Sequence, residues 1–354
     1  MGRFLSIPGS RPRLRLYHCV QAGIFYHGHV KILLTTTSFQ DTPGAHHDLL
    51  ASTGWEITTA RGPLNEADTL ALVGDVDGYI CGDDAITRKV LEKARPKLKV
   101  LSKYGIGVDK IDVQSCTEFG IPLLFTPGVN HTTVAEHAIL LLIALEKNLL
   151  FHTDSTRAGG WQRKTGHELF EKTLGIIGLG RVGREVAIRA RAFGMNVISL
   201  SRTWDEHFAA QYGLIKAASI DEIFAASDYL SLHTNLAPET RGLICATNIA
   251  KMKPGVVIVN CARGEVVNTA DLVAALKSGR VAGYGADVLD LEPPPARHPL
   301  LQLPNVVITP HVASRTYESV VRQATCAVKN LILALNGERP IAQVNPEVPV
   351  KKVV

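Results

Sequence analysis

Gly178-Leu179-Gly180-Arg181-Val182-Gly183 is the stretch that decides the fold. It follows the apolar run 174–177 and begins a helical pattern that extends to Phe193. In a strand–loop–helix unit, the first glycine permits a tight turn, the second lets the backbone approach a pyrophosphate, and the third lets helix and strand pack closely. The free N–H groups and the dipole of the helix N-terminus then bind the anion. This context predicts a dinucleotide-binding loop rather than a plain glycine turn.

Strands and helices alternate on both sides of this loop. Such alternation predicts parallel sheets covered by helices on both faces. The strands from the loop onward have the count and spacing of a doubly wound nucleotide-binding sheet. We predict them near 174–178, 196–200, 229–233, 255–260, 282–287 and 306–309, after an earlier series near 29–36, 55–60, 78–81, 98–102 and 121–126.

Helical patterns separate the strands of the earlier series, at 45–52, 65–72, 87–95 and 111–119. Two longer helices follow, near 131–150 and 317–335. No strand–helix series comes after the last helix, so we expect it to pack on the first domain. We therefore expect an α/β fold of two doubly wound parallel-sheet domains with a ligand cleft between them. The Rossmann dinucleotide domain (128–315) is inserted into a discontinuous, flavodoxin-like substrate-binding domain (29–127 and 316–345).

The composition is that of a globular protein, with 46% apolar and 20% charged residues among 354. The net charge of +5 is placed unevenly. Residues 1–30 contain Arg3, Arg11, Arg13 and Arg15 and no acid, so they supply +4 and the rest of the chain only +1. The body has no bulk basic surface for nucleic acid. We interpret 1–28 as a basic, disordered tail, with an organelle transit peptide as the alternative.

Cysteine spacing and hydropathy bear on the compartment. The six cysteines are scattered, with no Cys-x-x-Cys pair, which is typical of a reducing compartment and favours the cytoplasm. The longest apolar run, 138–145, is too short to span a membrane. His27-Gly28-His29 and His46-His47 have no carboxylate or cysteine at ligand spacing, so we expect exposed polar positions and no metal site.

The segment after the strand 196–200 bears on the choice of cofactor. An Asp or Glu at this strand end accepts hydrogen bonds from the ribose 2′-OH of NAD, whereas an arginine accommodates the 2′-phosphate of NADP. Here the strand runs into Ser201-Arg202-Thr203, with no acid before Asp205. We therefore expect NADP(H) rather than NAD(H); the alternative is that Arg202 stacks on adenine or lies in solvent.

An arginine, a carboxylate and a histidine follow three successive strands: Arg263, Glu292 and His311. A guanidinium can bind a substrate carboxylate and polarise a carbon–oxygen bond. A histidine can take a hydroxyl proton, and a neighbouring carboxylate raises its pKa. Together they suit the oxidation of a hydroxy acid, although each alone has a structural explanation as a salt bridge, a cap or a buried histidine.

Six motifs follow one another along the chain: 103–109, 126–136, the glycine loop, 260–264, 287–293 and 309–311. With these motifs in this order, the chain resembles the D-isomer-specific 2-hydroxyacid dehydrogenase family over residues 30–345. By this resemblance Arg263 binds substrate, His311 is the general acid/base and Glu292 is its partner, while Asp287 meets the nicotinamide carboxamide. The predicted cofactor residues are Gly178, Gly180, Arg181, Val182, Gly183, Ser201, Arg202, Thr203, His233, Thr234, Cys261, Ala262 and Asp287.

Within the family, the loop Gly105-Ile106-Gly107 is most similar to that of D-3-phosphoglycerate dehydrogenases. Its N–H groups should form a nest for a carboxylate, and Lys103 stands where those enzymes commonly have a phosphate-binding arginine. We therefore expect a small anionic 2-hydroxy or 2-keto acid as substrate, most similar to phosphoglycerate. The segment 201–203 is instead typical of NADPH-dependent glyoxylate/hydroxypyruvate reductases, which are the alternative.

Two further alternatives stay open at this stage. Corepressors of the same fold bind protein partners and use the cofactor as a sensor, and phosphite oxidation uses a similar Arg–Glu–His arrangement. The family also implies a homodimer, for which the long helix after Asn130 is suited, although burial in the core would produce the same apolar pattern.

Overall fold

The computed structural model describes residues 30–353. The basic tail at 1–28 and the motif His27-Gly28-His29 lie outside the described residues. Within them, no helix is both long enough and apolar enough to cross a bilayer. Over the same range, no three His, Cys, Asp or Glu side chains are grouped as they would be around a metal ion.

The first sheet has five parallel strands in the order β2-β1-β3-β4-β5. This order, 2-1-3-4-5, is that of the flavodoxin-like doubly wound sheet. β3 is buried along its whole length, which explains its uninterrupted apolar sequence. The strands are β1 (Lys31–Leu34), β2 (Glu56–Thr59), β3 (Gly78–Cys81), β4 (Val100–Lys103) and β5 (Leu123–Leu124).

Helices cover both faces of this sheet. The last helix of the chain packs back on it, because Ala324, Ala327, Val328 and Leu331 share a core with residues of β1, β3 and β4. The helices are α1 (Thr37–Asp41), α2 (Ala45–Ala51), α3 (Glu66–Leu72), α4 (Arg88–Ala94), α5 (Val113–Glu118) and, from the far end of the chain, α13 (Tyr317–Leu335).

The second sheet has seven parallel strands in the order β12-β11-β10-β9-β6-β7-β8. The strand order reverses between β6 and β9, and ligands of doubly wound sheets bind beyond the carboxyl ends at such a point. The strands are β6 (Thr173–Ile177), β7 (Asn196–Leu200), β8 (Leu214–Lys216), β9 (Tyr229–Leu232), β10 (Val256–Asn260), β11 (Val281–Ala286) and β12 (Val306–Ile308).

Seven helices accompany this second sheet, and a core cluster joins residues of α6 and α8 to residues of β6, β7, β9 and β10. Short 3-10 turns occur at Val73–Asp75, Gly264–Val266 and Pro299–Gln302. The helices are α6 (His131–Glu146), α7 (Leu149–Arg157), α8 (Arg181–Ala192), α9 (Glu206–Tyr212), α10 (Ile220–Ala226), α11 (Ala246–Ile249) and α12 (Thr269–Lys277).

The predicted fold class is confirmed, two local predictions are corrected, and one strand is added. The single helix expected over 131–150 is two helices, because Asn148 adopts the left-handed conformation with φ 49°. The edge strand β8 was not predicted, since two of its three residues are exposed. His46 is buried rather than exposed: its ring packs edge-on against Phe39, and its Nε2 lies 3.1 Å from the Phe39 carbonyl oxygen.

Candidate active site

The three glycines of the loop after β6 have different surroundings. Gly178 has φ 101°, and a Cβ there would lie 2.5 Å from the His233 carbonyl oxygen. A Cβ on Gly183 would lie 2.2 Å from the Gly178 carbonyl oxygen, so this glycine permits the close helix–strand contact. Apart from its own chain neighbours, no atom of the described residues lies within 4 Å of an ideal Cβ on Gly180, which leaves space for a ligand beside the backbone.

The N-terminus of α8 is suited to an anion. No side chain caps it, since Gly180 is the N-cap residue, and no acid stands in its first turn. The helix is twelve residues long, so its first N–H groups and its dipole are available for a pyrophosphate. Open space at Gly180 and an uncapped helix end together fit a dinucleotide at this loop.

Arg202 lies just after the end of β7. Arg202 is exposed and forms no ion pair with any residue between 30 and 353. Ser201 folds its hydroxyl onto the Thr203 carbonyl oxygen at 2.9 Å. Asp205 is already engaged, because its carboxylate accepts hydrogen bonds from the Phe208 N–H at 3.0 Å and from Arg184 Nη1 at 2.8 Å. Among residues 30–353, Arg202 is thus without an ion pair, whereas Asp205 pairs with Arg184.

His311 and Glu292 are paired at the carboxyl edge of the second sheet. His311 Nδ1 lies 2.8 Å from Glu292 Oε2, and the Leu289 N–H donates to the other carboxylate oxygen at 2.9 Å. Because Nδ1 is occupied, Nε2 is the nitrogen available to a substrate. His311 itself has φ 53°, a left-handed conformation held by its own N–H, which donates to the Asp287 carbonyl oxygen at 2.9 Å.

Opposing effects act on the pKa of His311. Burial lowers it, whereas the hydrogen bond to Glu292 and the negative charges of Asp83, Glu292 and Asp287 raise it. The net direction is upward from the ordinary histidine value. A histidine whose protonated form is stabilised in this way can hold a proton for a carbonyl oxygen near neutral pH.

Asp287 braces the chain around His311. Its buried carboxylate accepts hydrogen bonds from Thr309 Oγ1 at 2.6 Å, from the Val312 N–H at 2.8 Å and from the Ala313 N–H at 2.7 Å. The Thr309 hydroxyl has only one proton and donates it to Asp287, so His137 Nε2, 2.8 Å away, must donate to that hydroxyl. The nicotinamide contact that the family resemblance implies for Asp287 stays a prediction.

Arg263 is held from three sides. Its Nε donates to Asp109 Oδ2 at 2.6 Å and its Nη1 to the Ala262 carbonyl oxygen at 2.7 Å. Its own carbonyl oxygen accepts from Asn260 Nδ2 at 2.9 Å. A Cβ on Gly107 would lie 1.5 Å from Arg263 Nη2, so the guanidinium lies directly against the loop after β4.

The arginine loop also packs against the loop that carries Glu292. A Cβ on Gly264 would lie 1.9 Å from the Leu289 carbonyl carbon. Only glycine fits this contact, and it brings the segment after Arg263 against the residue whose N–H holds the Glu292 carboxylate. The three predicted catalytic residues thus come from neighbouring strand ends that are locked together.

The first sheet contributes further charged residues to the same site. Lys103, at the end of β4, is buried, and its Nζ donates to the Gly82 carbonyl oxygen at 2.5 Å and to Asp83 Oδ1 at 2.6 Å. The positive charge of Lys103 is the main cause that lowers the pKa of Asp83, with His311 and Arg263 acting in the same direction. Charged residues of both sheets therefore lie close together: Asp83 and Lys103 from the first sheet, and Arg263 and His311 from the second.

The predicted nest at 105–107 is smaller than expected. Gly105, with φ 125°, donates its N–H to Thr126 Oγ1 at 2.9 Å, so this donor is not free. The N–H groups of Ile106 and Gly107 have no acceptor among the described residues. A carboxylate here would meet two backbone donors rather than three.

The other predicted cofactor residues line the same edge. His233 is the residue whose carbonyl oxygen lies against Gly178, its Nε2 lies 2.7 Å from Ser231 Oγ, and burial lowers its pKa to about 4. Thr234 follows it, half-buried. Cys261 and Ala262 lie between β10 and Arg263, and burial raises the pKa of the Cys261 thiol, which favours the uncharged form.

Sequence reasoning missed three residues of the site: Asp83, Asp109 and His137. Asp109 lies in the quoted motif 103–109, and the GxGxD spacing was the available signal. Asp83 follows a buried strand of the same sheet, which is the position where functional side chains gather. His137 carries no local signal, because its partner Thr309 is 172 residues away.

Comparison with known proteins shows which family this chain is similar to. Residues 139–313 match the family profile described as "D-isomer specific 2-hydroxyacid dehydrogenase, NAD binding domain". A glyoxylate reductase from Thermofilum pendens is 38% identical over 304 residues, which cover 82% of this chain and 89% of that protein. A D-3-phosphoglycerate dehydrogenase from Methanocaldococcus jannaschii is 38% identical over 328 residues; these are 92% of this chain but 61% of that protein.

Solved structures give the same result. The crystal structure of a glyoxylate reductase from Paecilomyes thermophila superposes with a TM-score of 0.79 at 33% identity, covering 90% of this chain and 99% of that one. The chain spans less than two thirds of the length of the phosphoglycerate dehydrogenase relative but most of both glyoxylate reductases. The match over nearly all of a relative at this identity identifies the chain as a member of the D-isomer specific 2-hydroxyacid dehydrogenase family.

Proposed function

We propose that the protein is an oxidoreductase that interconverts a small D-2-hydroxy acid and its 2-keto acid with a nicotinamide cofactor. One observation carries the proposal: a histidine paired with a carboxylate lies at the same sheet edge as a braced arginine and an open dinucleotide loop. Bound at that loop, the nicotinamide would supply the hydride acceptor for oxidation and the hydride donor for reduction.

Each residue of the trio has a distinct task. Arg263 binds the substrate carboxylate, because Asp109 and the Ala262 carbonyl oxygen hold Nε and Nη1 and leave Nη2 beside the loop at Gly107. His311 takes the hydroxyl proton on Nε2 during oxidation and returns it to the carbonyl oxygen during reduction. Glu292 orients the ring through Nδ1 and stabilises its protonated form.

The cofactor that we propose is NADP(H) in preference to NAD(H). Two features of Arg202 support it as a partner for a 2′-phosphate: its side chain is exposed, and it lies just after β7. The nearest acid, Asp205, lies beyond the strand end, and its carboxylate already accepts hydrogen bonds from Arg184 and from the N-terminus of α9.

Two substrate classes follow from the residues. Lys103, at the predicted phosphate position, favours a phosphoglycerate-like acid; the segment 201–203 favours glyoxylate or hydroxypyruvate. Relatives with both names are equally similar, at 38% identity. A panel of 2-keto acids with NADH and NADPH, followed by nicotinamide absorbance, tests the proposal. Oxidation of the cofactor with at least one acid is expected, and tight cofactor binding without any turnover would favour a cofactor-sensing role.

We further propose a homodimer in a reducing compartment such as the cytoplasm. Leu140, Leu149 and Phe151 of α6 and α7 are exposed apolar side chains on one stretch of chain, as a second copy would require. The five described cysteines are free. Sedimentation of the purified protein at twice the monomer mass is expected; a monomer at micromolar concentration would contradict the dimer.

A further inference from the structure

An exposed carboxylate and a buried ammonium meet at the carboxyl end of the first sheet. Asp83 follows β3, Lys103 ends the adjacent strand β4, and Cys81 and Lys103 are register partners in the two strands. Lys103 is 3% exposed and donates to Asp83 Oδ1 at 2.6 Å and to the Gly82 carbonyl oxygen at 2.5 Å. The Asp83 side chain is 55% exposed.

The pair lies beside the proposed binding position of the substrate carboxylate. The loop 105–107 touches Lys103 at one end, where a Cβ on Gly105 would be 3.9 Å from Lys103 Nζ. It touches Arg263 at the other end, where a Cβ on Gly107 would be 1.5 Å from Nη2. The charges of His311 and Arg263 also act on Asp83, so the Asp83–Lys103 pair lies beside the position proposed for the substrate.

The charge of this pair is already balanced. Lys103 donates two of its three N–H groups to acceptors within the protein, and the negative charge of Asp83 neutralises its positive charge. A phosphate dianion placed here would find one remaining N–H donor on Lys103, and it would lie close to the negative charge of the Asp83 carboxylate. Like charges in contact disfavour binding strongly, and specific sites use such repulsion to reject wrong ligands.

A neutral hydroxyl group, unlike a phosphate, suits the position beside Asp83. Asp83 Oδ2 has no hydrogen-bond donor among the described residues, and it lies on an exposed side chain. It can accept a hydrogen bond from a hydroxyl on the carbon next to the reacting one. A site built to bind a substrate hydroxyl discriminates well against compounds that lack it, because its polar group is otherwise left without a partner.

We propose that Asp83 is a specificity-determining residue that selects an unphosphorylated 2-keto acid with a hydroxyl on C3 and excludes its phosphate ester. The proposal rests on the proposed function, since it concerns the far end of the same substrate. It assigns to Lys103 the task of holding Asp83 in place rather than that of binding phosphate.

The test compares kcat/KM for hydroxypyruvate, its phosphate ester and pyruvate, with NADPH, in three proteins. The wild type should prefer hydroxypyruvate over the phosphate ester by at least about tenfold, and should prefer it over pyruvate. Asp83→Asn should reduce the preference over the ester by about tenfold or more, because the carboxylate charge is removed and Lys103 is freed. Using the ratio of two substrates cancels any general effect of the substitution on turnover.

Asp75→Asn is the matched control. Asp75 is an exposed acid of the 3-10 turn Val73–Asp75 that pairs with Lys31 and Lys97 near the start of β1, at the sheet edge opposite the site. This variant loses the same charge and should keep the wild-type ratio. Thermal unfolding of all three proteins checks that they are folded. Because the Asp83 side chain is exposed, its substitution by Asn should leave the fold intact.

Two results would overturn the assignment of Asp83. One is a wild type that prefers the phosphate ester, which needs no variant to observe. The other is an Asp83→Asn protein with an unchanged ratio. The absence of turnover with every 2-keto acid would instead contradict the proposed function, so the two failures are distinguishable.

Discussion

His311 Nδ1 lies 2.8 Å from Glu292 Oε2, and the second oxygen of that carboxylate is held by the Leu289 N–H at 2.9 Å. The hydrogen bond from Leu289 therefore fixes the orientation in which the carboxylate contacts the imidazole. This relationship ties two strand ends that are 19 residues apart into one acid/base unit. It also sets the pH range in which the histidine is protonated.

Glu292→Gln should move the pH–rate profile without abolishing cofactor binding. The hydrogen bond and the charge of Glu292 both raise the pKa of His311, so their loss lowers it. Reduction needs protonated His311 and is lost as the pH rises through that pKa; its alkaline limb should shift to lower pH. Oxidation needs the neutral ring, so its acid limb should shift in the same direction. Profiles that superpose with those of the wild type would refute the pairing.

Gly107→Ala should impair catalysis more than stability. The added Cβ would lie 1.5 Å from Arg263 Nη2, at the far end of a flexible side chain, so the guanidinium can move aside while the fold is kept. Loss of the correctly placed counter-charge should lower kcat/KM by about 10²-fold. Gly74→Ala is the control, since its nearest neighbour is the Lys93 side chain at 3.7 Å. Equal activity of the two variants would remove Arg263 from the proposed carboxylate site.

Gly180→Ala and Gly178→Ala should separate cofactor binding from folding. Gly180 has open space around it, so alanine should leave the melting temperature unchanged while weakening cofactor affinity at the pyrophosphate. Gly178 has φ 101° and contacts the His233 carbonyl oxygen, so alanine there should destabilise the fold by about 1–3 kcal/mol. Calorimetry and cofactor titration measure the two effects. Full cofactor affinity in Gly180→Ala would place the dinucleotide elsewhere.

Arg202→Ala should reduce the preference for NADPH over NADH by about tenfold, because a charge-assisted contact to the 2′-phosphate is lost. Its effect with NADH should be small. Arg163→Ala is the control. It removes another exposed arginine, from the segment between α7 and β6, and should leave the NADPH/NADH ratio unchanged. A wild type that prefers NADH, or an unchanged ratio in Arg202→Ala, would contradict the proposed cofactor preference.

The core elements could be predicted closely from the sequence. β3, β7 and α13 begin and end at the predicted residues, because buried strands are continuously apolar and a long amphipathic helix keeps its period. β8 could not be found in this way, since an edge strand has little apolar surface to bury. The break at Asn148 depends on one residue that adopts a left-handed conformation.

The site was predictable as a set of residues but not as a network. Arg263, Glu292 and His311 were found because each follows a strand, and the topology of parallel sheets brings strand ends together. Asp109 holds Arg263 from 154 residues away, and no local pattern reveals an ion pair of that separation. The Asp83–Lys103 contact likewise depends on the register of β3 against β4, which only the folded sheet defines.

His311→Gln, assayed for reduction of a 2-keto acid that the wild type turns over, tests the central claim most directly. Cofactor titration and thermal unfolding of the same preparation show whether the variant is folded and binds its cofactor. Because His311 is the proton donor in this account, turnover should fall by about 10²–10⁴-fold while cofactor affinity is kept. Wild-type turnover in a folded His311→Gln protein would contradict it.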